Sequence, residues 1–389
     1  MNLKLLLNPP KLLKVVKYRF QVRANLDRAV KAGVKKFKNH SDYRPDLVLQ
    51  GVAPHPGPAQ DDSAILKRII TAYKKAKVDQ RLHSDTFNVS NEWLHIYERG
   101  LGPVMRALDT EDLPALNAMY ANFFRDACSH GLAGLPLDTH KKLFQPNPAL
   151  RYRNVLLVDL LHRYELWKQR TANKYSVGDL TSPPIGNPYG HIFQGTFVRA
   201  GSDYHHYYAQ AINGLLPKDK KGIVLELGGG FGGMAYFLVR DNPNVSYIDF
   251  DPPEAVALAS YYLLKAFPGL PVTLYGEADL SPSTIANSRI ILMPSFEILK
   301  LAPKSVDVAF NSYSLAEMSP SAIREYVKEI TRATSGYFLH INFTKISVVS
   351  ADDFGIEKHG FTLLNRELAG WTVGLNPVSD ECEFLYKAD

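Results

Sequence analysis

The chain has 389 residues, 46% of them hydrophobic and 22% charged, with a formal net charge of +6. That length implies two or three folding units, and that composition excludes a disordered or low-complexity chain. Two cysteines, Cys128 and Cys382, lie too far apart to suggest a disulfide framework or a metal cluster, and no apolar run reaches the ~20 residues that span a bilayer.

The charge is uneven. Residues 1–40 hold eleven Lys or Arg and one Asp, whereas the rest of the chain carries a balance of −4. Leu13, Val16 and Phe20 recur at helical spacing among Lys11, Lys14, Lys17 and Arg19, which reads as a basic amphipathic arm. Such a helix lies on an anionic membrane face, reaches for a polyanionic glycan, or packs on its own domain through its apolar stripe. No zinc spacing or aromatic–basic recognition signature accompanies the charge, so nucleic acid is not expected as a partner. The N-terminus lacks the compact apolar segment and small-residue cleavage site of a secretory signal. A cytoplasmic protein, peripheral at the inner membrane face through residues 1–40, is the expected setting.

Residues 41–175 read as a helical domain. AILKRIITAYKKAKV, LPALNAMYANFFRDACSHGLAG and RNVLLVDLLHRYELWKQ each repeat apolar residues every three or four positions. SVGDLTSPPIGNPYG, residues 176–190, is rich in Pro, Gly and Ser and suggests a linker or lid. Beyond residue 200 the texture alternates. The helix SDYHHYYAQAINGLL leads to the strand IVLEL, a glycine turn and the helix GMAYFLV. VSYIDFD, the helix EAVALASYYLLKAF, RIILMPSFEIL, VDVAFNSYS, the helix SPSAIREYVKEI and YFLHINF follow. This alternation predicts a parallel sheet with right-handed crossovers over residues 176–389. VTLYG at 272–276 interrupts the count, as an extra strand or an insertion. FTLLNREL and CEFLYKA have no helix between them and predict an antiparallel pair closing the sheet, where a dinucleotide-binding domain would continue with a parallel unit. The predicted class is α/β, Rossmann-like, with a helical region ahead of it.

ELGGGFGGMAY, residues 226–236, places five glycines just after the first core strand. Gly228, Gly230 and Gly233 satisfy GxGxxG, and Asp251 follows Gly228 at roughly the interval of a ribose-binding acid, so a dinucleotide is one reading. Glu226 and Gly232 favour another. Glu226-x-Gly228-x-Gly230-x-Gly232 is the ExGxGxG pattern of class I methyltransferases, whose S-adenosylmethionine cofactor has an amino acid end and no pyrophosphate. A carboxylate before the turn suits that ammonium group.

With these pieces placed, IGNPYG (185–190), LELGGGFGGMAY (225–236), YIDFDPPEAVALASYYL (247–263) and FNSYSLAEMSPSAIREY (310–326) resemble the sugar O-methyltransferases of bacterial polysaccharide and glycolipid gene clusters. NEWLHIYERG and NFFRDACSHGL resemble that family's helical region more loosely. The resemblance implies methyl transfer from S-adenosylmethionine to a sugar hydroxyl of a glycan, glycolipid or glycosylated metabolite. It would place a His after Asn311, where this chain has Tyr313.

The acceptor oxygen would attack the methyl in line, assisted by a general base. Reacting groups in open α/β sheets gather at the carboxyl ends of the strands, which points to Asn311, Tyr313, Ser314 and Glu317, and to His340 and Asn342. Glu317 is the first candidate base, its plain alternative being a helix-start acid. His340 is the second, its alternative a satisfied core histidine. His191, His205 and His206 would reach the site if their segments close over it, and Tyr204, Tyr207 and Tyr208 read as helix packing before a sugar platform. Glu226, the glycines and Asp251 are the cofactor candidates, with Asp249 as fallback and Ser295 and Phe296 as an adenine wall. No spacing argues for a metal. Two other functions fit the same residues: an NAD(P)-dependent oxidoreductase, and an inactive cofactor-binding scaffold of glycan assembly. A homodimer is compatible with the sequence but not indicated by it.

Overall fold

A computed structural model of the chain describes residues 24–58, 61–88, 94, 96–133, 142–345, 347 and 349–389. The first half of the basic arm, with Leu13, Val16 and Phe20, and residues 91–93 and 95 of NEWLHIYERG therefore lie outside the described residues. The rest of the arm is helical over 24–37 and docks inward. Phe37 is buried, and Lys36 and Asp27 pair with Glu165 and Arg151 of the helix Leu150–Arg170 at 2.7 Å each. Among the described residues no helix is long and apolar enough to cross a membrane.

The core is an eight-stranded sheet. Its strands are β3 (Gly222–Leu227), β4 (Val245–Asp251), β5 (Val272–Leu274), β6 (Ile290–Pro294), β7 (Val306–Ser312), β8 (Thr334–Phe343), β9 (Phe361–Leu368) and β10 (Glu381–Ala388), after a separate hairpin of β1 (Gly190–Phe193) and β2 (Thr196–Arg199). The order is β5-β6-β4-β3-β7-β8-β10-β9. β3 to β8 pair in parallel, and β10 runs antiparallel to both β8 and β9. The reversed C-terminal strand expected from the tail is thus present, inserted between β8 and β9. VTLYG becomes the short edge strand β5.

Every residue of β4 and β6 is buried, the mark of central parallel strands covered on both faces by helices. Those covers include Ser202–Leu215, Gly233–Asp241, Pro253–Ala266 and Pro320–Ala333. The last starts as its residues dictate: Ser319 Oγ accepts from Ala322 N at 3.2 Å and Pro320 opens the helix. One hydrophobic cluster runs from Phe37 and Leu66 of the helical half to Phe237 and Trp371 beside the sheet, so the two halves share a core.

Residues 176–190 are no slack linker. Ile185 to Gly190 are all buried, Phe124 N donates to Gly186 O at 3.0 Å, and Asn187 ties His55 N and Asn122 to the same segment. The Pro and Gly residues read as a lid serve as a packed strut.

Candidate active site

The sheet order reverses between β3 and β7, and a crevice opens there beyond the strands' carboxyl ends. The glycine turn forms its floor. Gly228 has φ of 81°, and a Cβ on it would overlap Ser314 Oγ. Gly230 has φ of 62°, and its Cβ would press on Leu132 O at 3.0 Å. Both positions need glycine for conformation and for closeness. Gly232 caps the next helix and sits against Leu263, so it serves packing and does not line the crevice.

Two carboxylates hold the turn in place and a third, Glu226, stands beside them. Gly229 N donates to Asp249 Oδ1 at 3.0 Å, Gly230 N to Asp251 Oδ2 at 2.9 Å, and Tyr247 OH to Glu226 Oε2 at 2.5 Å. Glu226, Asp249 and Asp251 are all buried, and the partners they find among the described residues are backbone N–H groups and one phenol. Burial, reinforced by Asp249, pushes the Glu226 carboxyl up to about 8. Burial also raises Asp249, and burial and then Asp249 raise Asp251. Three acids crowded together with no cation against them among the described residues favour a positively charged ligand.

Glu226, Gly228, Gly230 and Asp251 line a cavity of about 440 Å³ together with Tyr313, Ser314 and Glu317 from the segment after β7. The expected assembly of both sequence motifs is therefore found around one space. Tyr313 turns the chain at φ of 64° and donates its OH to Glu381 at 2.9 Å. Ser314 Oγ donates to Leu227 O at 3.1 Å and locks this segment onto the end of β3.

Other sequence candidates lie elsewhere. Asn311 and Asn342 are fully buried and do not line the cavity. Asn311 Nδ2 donates to Leu227 O and Ser314 Oγ, Asn342 Nδ2 donates to Asn311 Oδ1, and Asn342 Oδ1 accepts from Ala316 N. They shape the 313–317 segment from behind, so a substrate contact is replaced by a supporting role. His340 is also absent from the lining. It stacks on Phe384 at 4.6 Å, burial pulls it down to about 3, and its Nε2 finds no partner among the described residues. That is a core histidine, because strand alternation turns it to the apolar face shared with Phe338 and Phe384. Ser295 and Phe296 follow β6 as expected but do not line the cavity; Phe296 stacks on His83 at 4.2 Å.

Among the lid histidines, His191 Nε2 donates to Asp42 O at 2.9 Å, and His206 accepts from Trp167 Nε1 at 3.1 Å; both are structural. His205 does line the cavity, as does Tyr204, whose OH bonds Ser312 Oγ. Arg199 Nη2 lies 3.2 Å from His205 Nδ1. Arginine can only donate, so Nδ1 accepts and the proton sits on Nε2. Burial, with Arg199 and Arg163 nearby, holds this ring neutral.

Motif reading missed Arg163, which lines the cavity, and Arg199, which stands behind His205. Arg163 sits mid-helix among apolar residues with no local signal. Arg199 ends a hairpin whose signal was legible: Gln194 and Gly195, at φ of 49° and 81°, make a tight two-residue turn between HIF and TFVR.

No family model matches the chain, and no curated protein matches it. Among solved structures it is similar to a SAM-dependent methyltransferase from Aquifex aeolicus, with 16% identity over 46% of this chain and 88% of that one, at a TM-score of 0.31. It is also similar to the magnesium protoporphyrin IX methyltransferase ChlM from Synechocystis PCC 6803 with bound SAM, with 12% identity over 48% and 77% and a TM-score of 0.34. For the pyocyanin biosynthetic protein PhzM the figures are 11% identity, 49% of this chain and just over half, 56%, of that one, and a TM-score of 0.33. The strand order and the crevice, rather than these partial overlaps, define the fold and the site.

Proposed function

We propose that this chain is an S-adenosylmethionine-dependent O-methyltransferase whose acceptor is a sugar hydroxyl. The observation that carries the cofactor assignment is the trio of Glu226, Asp249 and Asp251, buried around a glycine turn without a cation among the described residues. A dinucleotide would bring a pyrophosphate to this turn, which further disfavours the ionised form of three acids already raised by burial; a sulfonium carrying an ammonium group favours it. Glu226 takes the ammonium end and Asp251 the ribose hydroxyls, while Gly228 and Gly230 let the backbone approach. When bound, S-adenosylmethionine supplies an electrophilic methyl group.

The chain's own task is to aim and deprotonate the acceptor. Glu317 lines the cavity at the end of the turn Ser314–Glu317 and is the group assigned to take the hydroxyl proton. Ser312, Ser314 and Thr372 stand in the same wall, their hydroxyls bonded to Tyr204 OH, Leu227 O and Ser379 Oγ. Tyr204, Phe231 and Phe343 close the space against water. The sugar rests on the resemblance of the 185–190, 225–236, 247–263 and 310–326 segments.

The test is turnover. Purified chain, S-adenosylmethionine and a panel of free, nucleotide-linked and lipid-linked sugars are assayed for S-adenosylhomocysteine release and for one added methyl group by mass. Methylation of a sugar oxygen supports the reading. Oxidation of NAD(P)H by a protein that ignores S-adenosylhomocysteine would sink it.

A further inference from the structure

The cofactor cavity opens into a second chamber of about 450 Å³. Gly131, Leu132, Arg163, Tyr204, His205 and Phe231 line both. If the first holds the cofactor, the second is where the acceptor's remaining bulk must go. Its walls carry charge that nothing in the mechanism above uses.

Arg199 is 2% exposed and lines this chamber at the end of β2. Its Nη1 donates to Ala200 O at 2.9 Å, Nη2 to His205 Nδ1 at 3.2 Å and Nε to Ser182 Oγ at 3.4 Å. The rings of Phe124 and Phe231 face the guanidinium at 5.4 and 5.1 Å. That engages three of five N–H groups and leaves one on each terminal nitrogen without a partner among the described residues. No carboxylate is in contact with it there. Asp203 acts on it only at a distance and is committed to Tyr204 N at 2.8 Å.

The other enclosed arginines of this region differ. Arg125 donates to four backbone carbonyls, of Asn187, Val52, Ala53 and Pro188. Arg170 is paired with Glu367 and Glu383. Arg163, which faces the same chamber, has Asp159 at 3.0 Å. A buried guanidinium without a touching counter-charge is strongly penalised unless a ligand completes it. Its two spare N–H groups match the fork by which arginine grips planar or tetrahedral oxyanions. His205 adds an Nε2–H donor to the same wall.

We propose that Arg199, with Arg163 and the His205 Nε2–H group beside it, anchors a carboxylate or phosphate on the acceptor, so that the substrate is an anionic sugar. This rests on the methyl-transfer reading for calling the chamber an acceptor site. The anion site itself does not.

The full chain, labelled with ¹⁵N-arginine and loaded with S-adenosylhomocysteine, is titrated with inorganic phosphate and separately with acetate, chloride holding ionic strength constant. One arginine Nε–H resonance should shift saturably with at least one probe, and that resonance should vanish in Arg199→Lys. In that variant the affinity for the responding probe should fall on the order of tenfold or more, with S-adenosylhomocysteine affinity kept. If Arg199→Lys does not fold, Phe124→Leu identifies the resonance, since it removes a ring facing the guanidinium. Response to phosphate alone assigns a phosphorylated acceptor, response to acetate alone a carboxylated one, and response to both leaves the shared oxyanion chemistry standing. No saturable shift with either probe overturns the proposal. An anion response in a protein that does not bind S-adenosylhomocysteine would keep this site and remove the methyl-transfer reading.

Discussion

Glu226→Gln separates the cost of the acidic trio from its use. Glu226 is enclosed at the end of β3 with Tyr247 OH as its hydrogen-bond partner. Its carboxyl ionises near 4.5 in an unfolded chain but, through burial and then Asp249, at about 8 in the folded one. Between those two values the folded state holds a proton that the unfolded state has lost. The associated stability is fully present below about 4.5, drains away as pH rises through this span, and is gone above about 8. At 1.36 kcal/mol per pH unit the whole loss is on the order of 5 kcal/mol. Glutamine keeps the shape and the bond from Tyr247 but has nothing to titrate. Chemical denaturation without cofactor should therefore give curves for variant and wild type that nearly coincide at about pH 5 and separate by several kcal/mol at about pH 9, the variant being the more stable. The same variant should bind S-adenosylmethionine on the order of tenfold to a hundredfold more weakly, the worth of a hydrogen bond to a charged group. Parallel stability profiles across the span would refute the claim that Glu226 is a buried, proton-holding acid awaiting a cation.

Gly228→Ala should lose about 1–3 kcal/mol of stability by denaturant titration, because the residue sits at φ of 81° and its Cβ would overlap Ser314 Oγ. Glu317→Gln should lower kcat by about 10²–10⁴ while leaving S-adenosylhomocysteine affinity within roughly threefold; an unchanged kcat would remove Glu317 as the base. His340→Leu should keep kcat within about threefold of wild type, since the ring is packed on Phe384 away from the cavity. A loss as large as that of Glu317→Gln would contradict this placement.

Much of the fold was legible because central parallel strands and their covering helices carry strong periodic signals. VSYIDFD and FTLLNREL coincide with β4 and β9, and Ser319-Pro320 opens its helix as local capping chemistry requires. The glycine turn was legible for a similar reason: backbone conformation and close approach restrict Gly228 and Gly230 to glycine whatever surrounds them. Side-chain roles were harder, because strand position does not settle which face a residue presents. His340 and Asn342 share β8 with the expected site, yet both turn to a buried network, and the polar pattern NxxSxxE mixes the supporting Asn311 with the lining Ser314 and Glu317. The long-range partners were invisible. Arg163 and Arg199 come from a helix and a hairpin that tertiary packing alone brings to the crevice. The segment 176–190 was misread as slack because its Pro and Gly residues, which mark loops in sequence, are here fixed by burial and by the bonds of Gly186 and Asn187.

Calorimetric titration with S-adenosylhomocysteine tests the central claim most directly, run on wild type and on Asp251→Ala and Gly230→Val, with circular dichroism reporting their folding. Asp251 both lines the cavity and fixes Gly230 N at 2.9 Å, and a side chain on Gly230 would press on Leu132 O. Micromolar binding by wild type, lost in both folded variants, is the predicted result. A well-folded wild type that does not bind S-adenosylhomocysteine would contradict the account at its foundation, and the same turn would then belong to a different ligand.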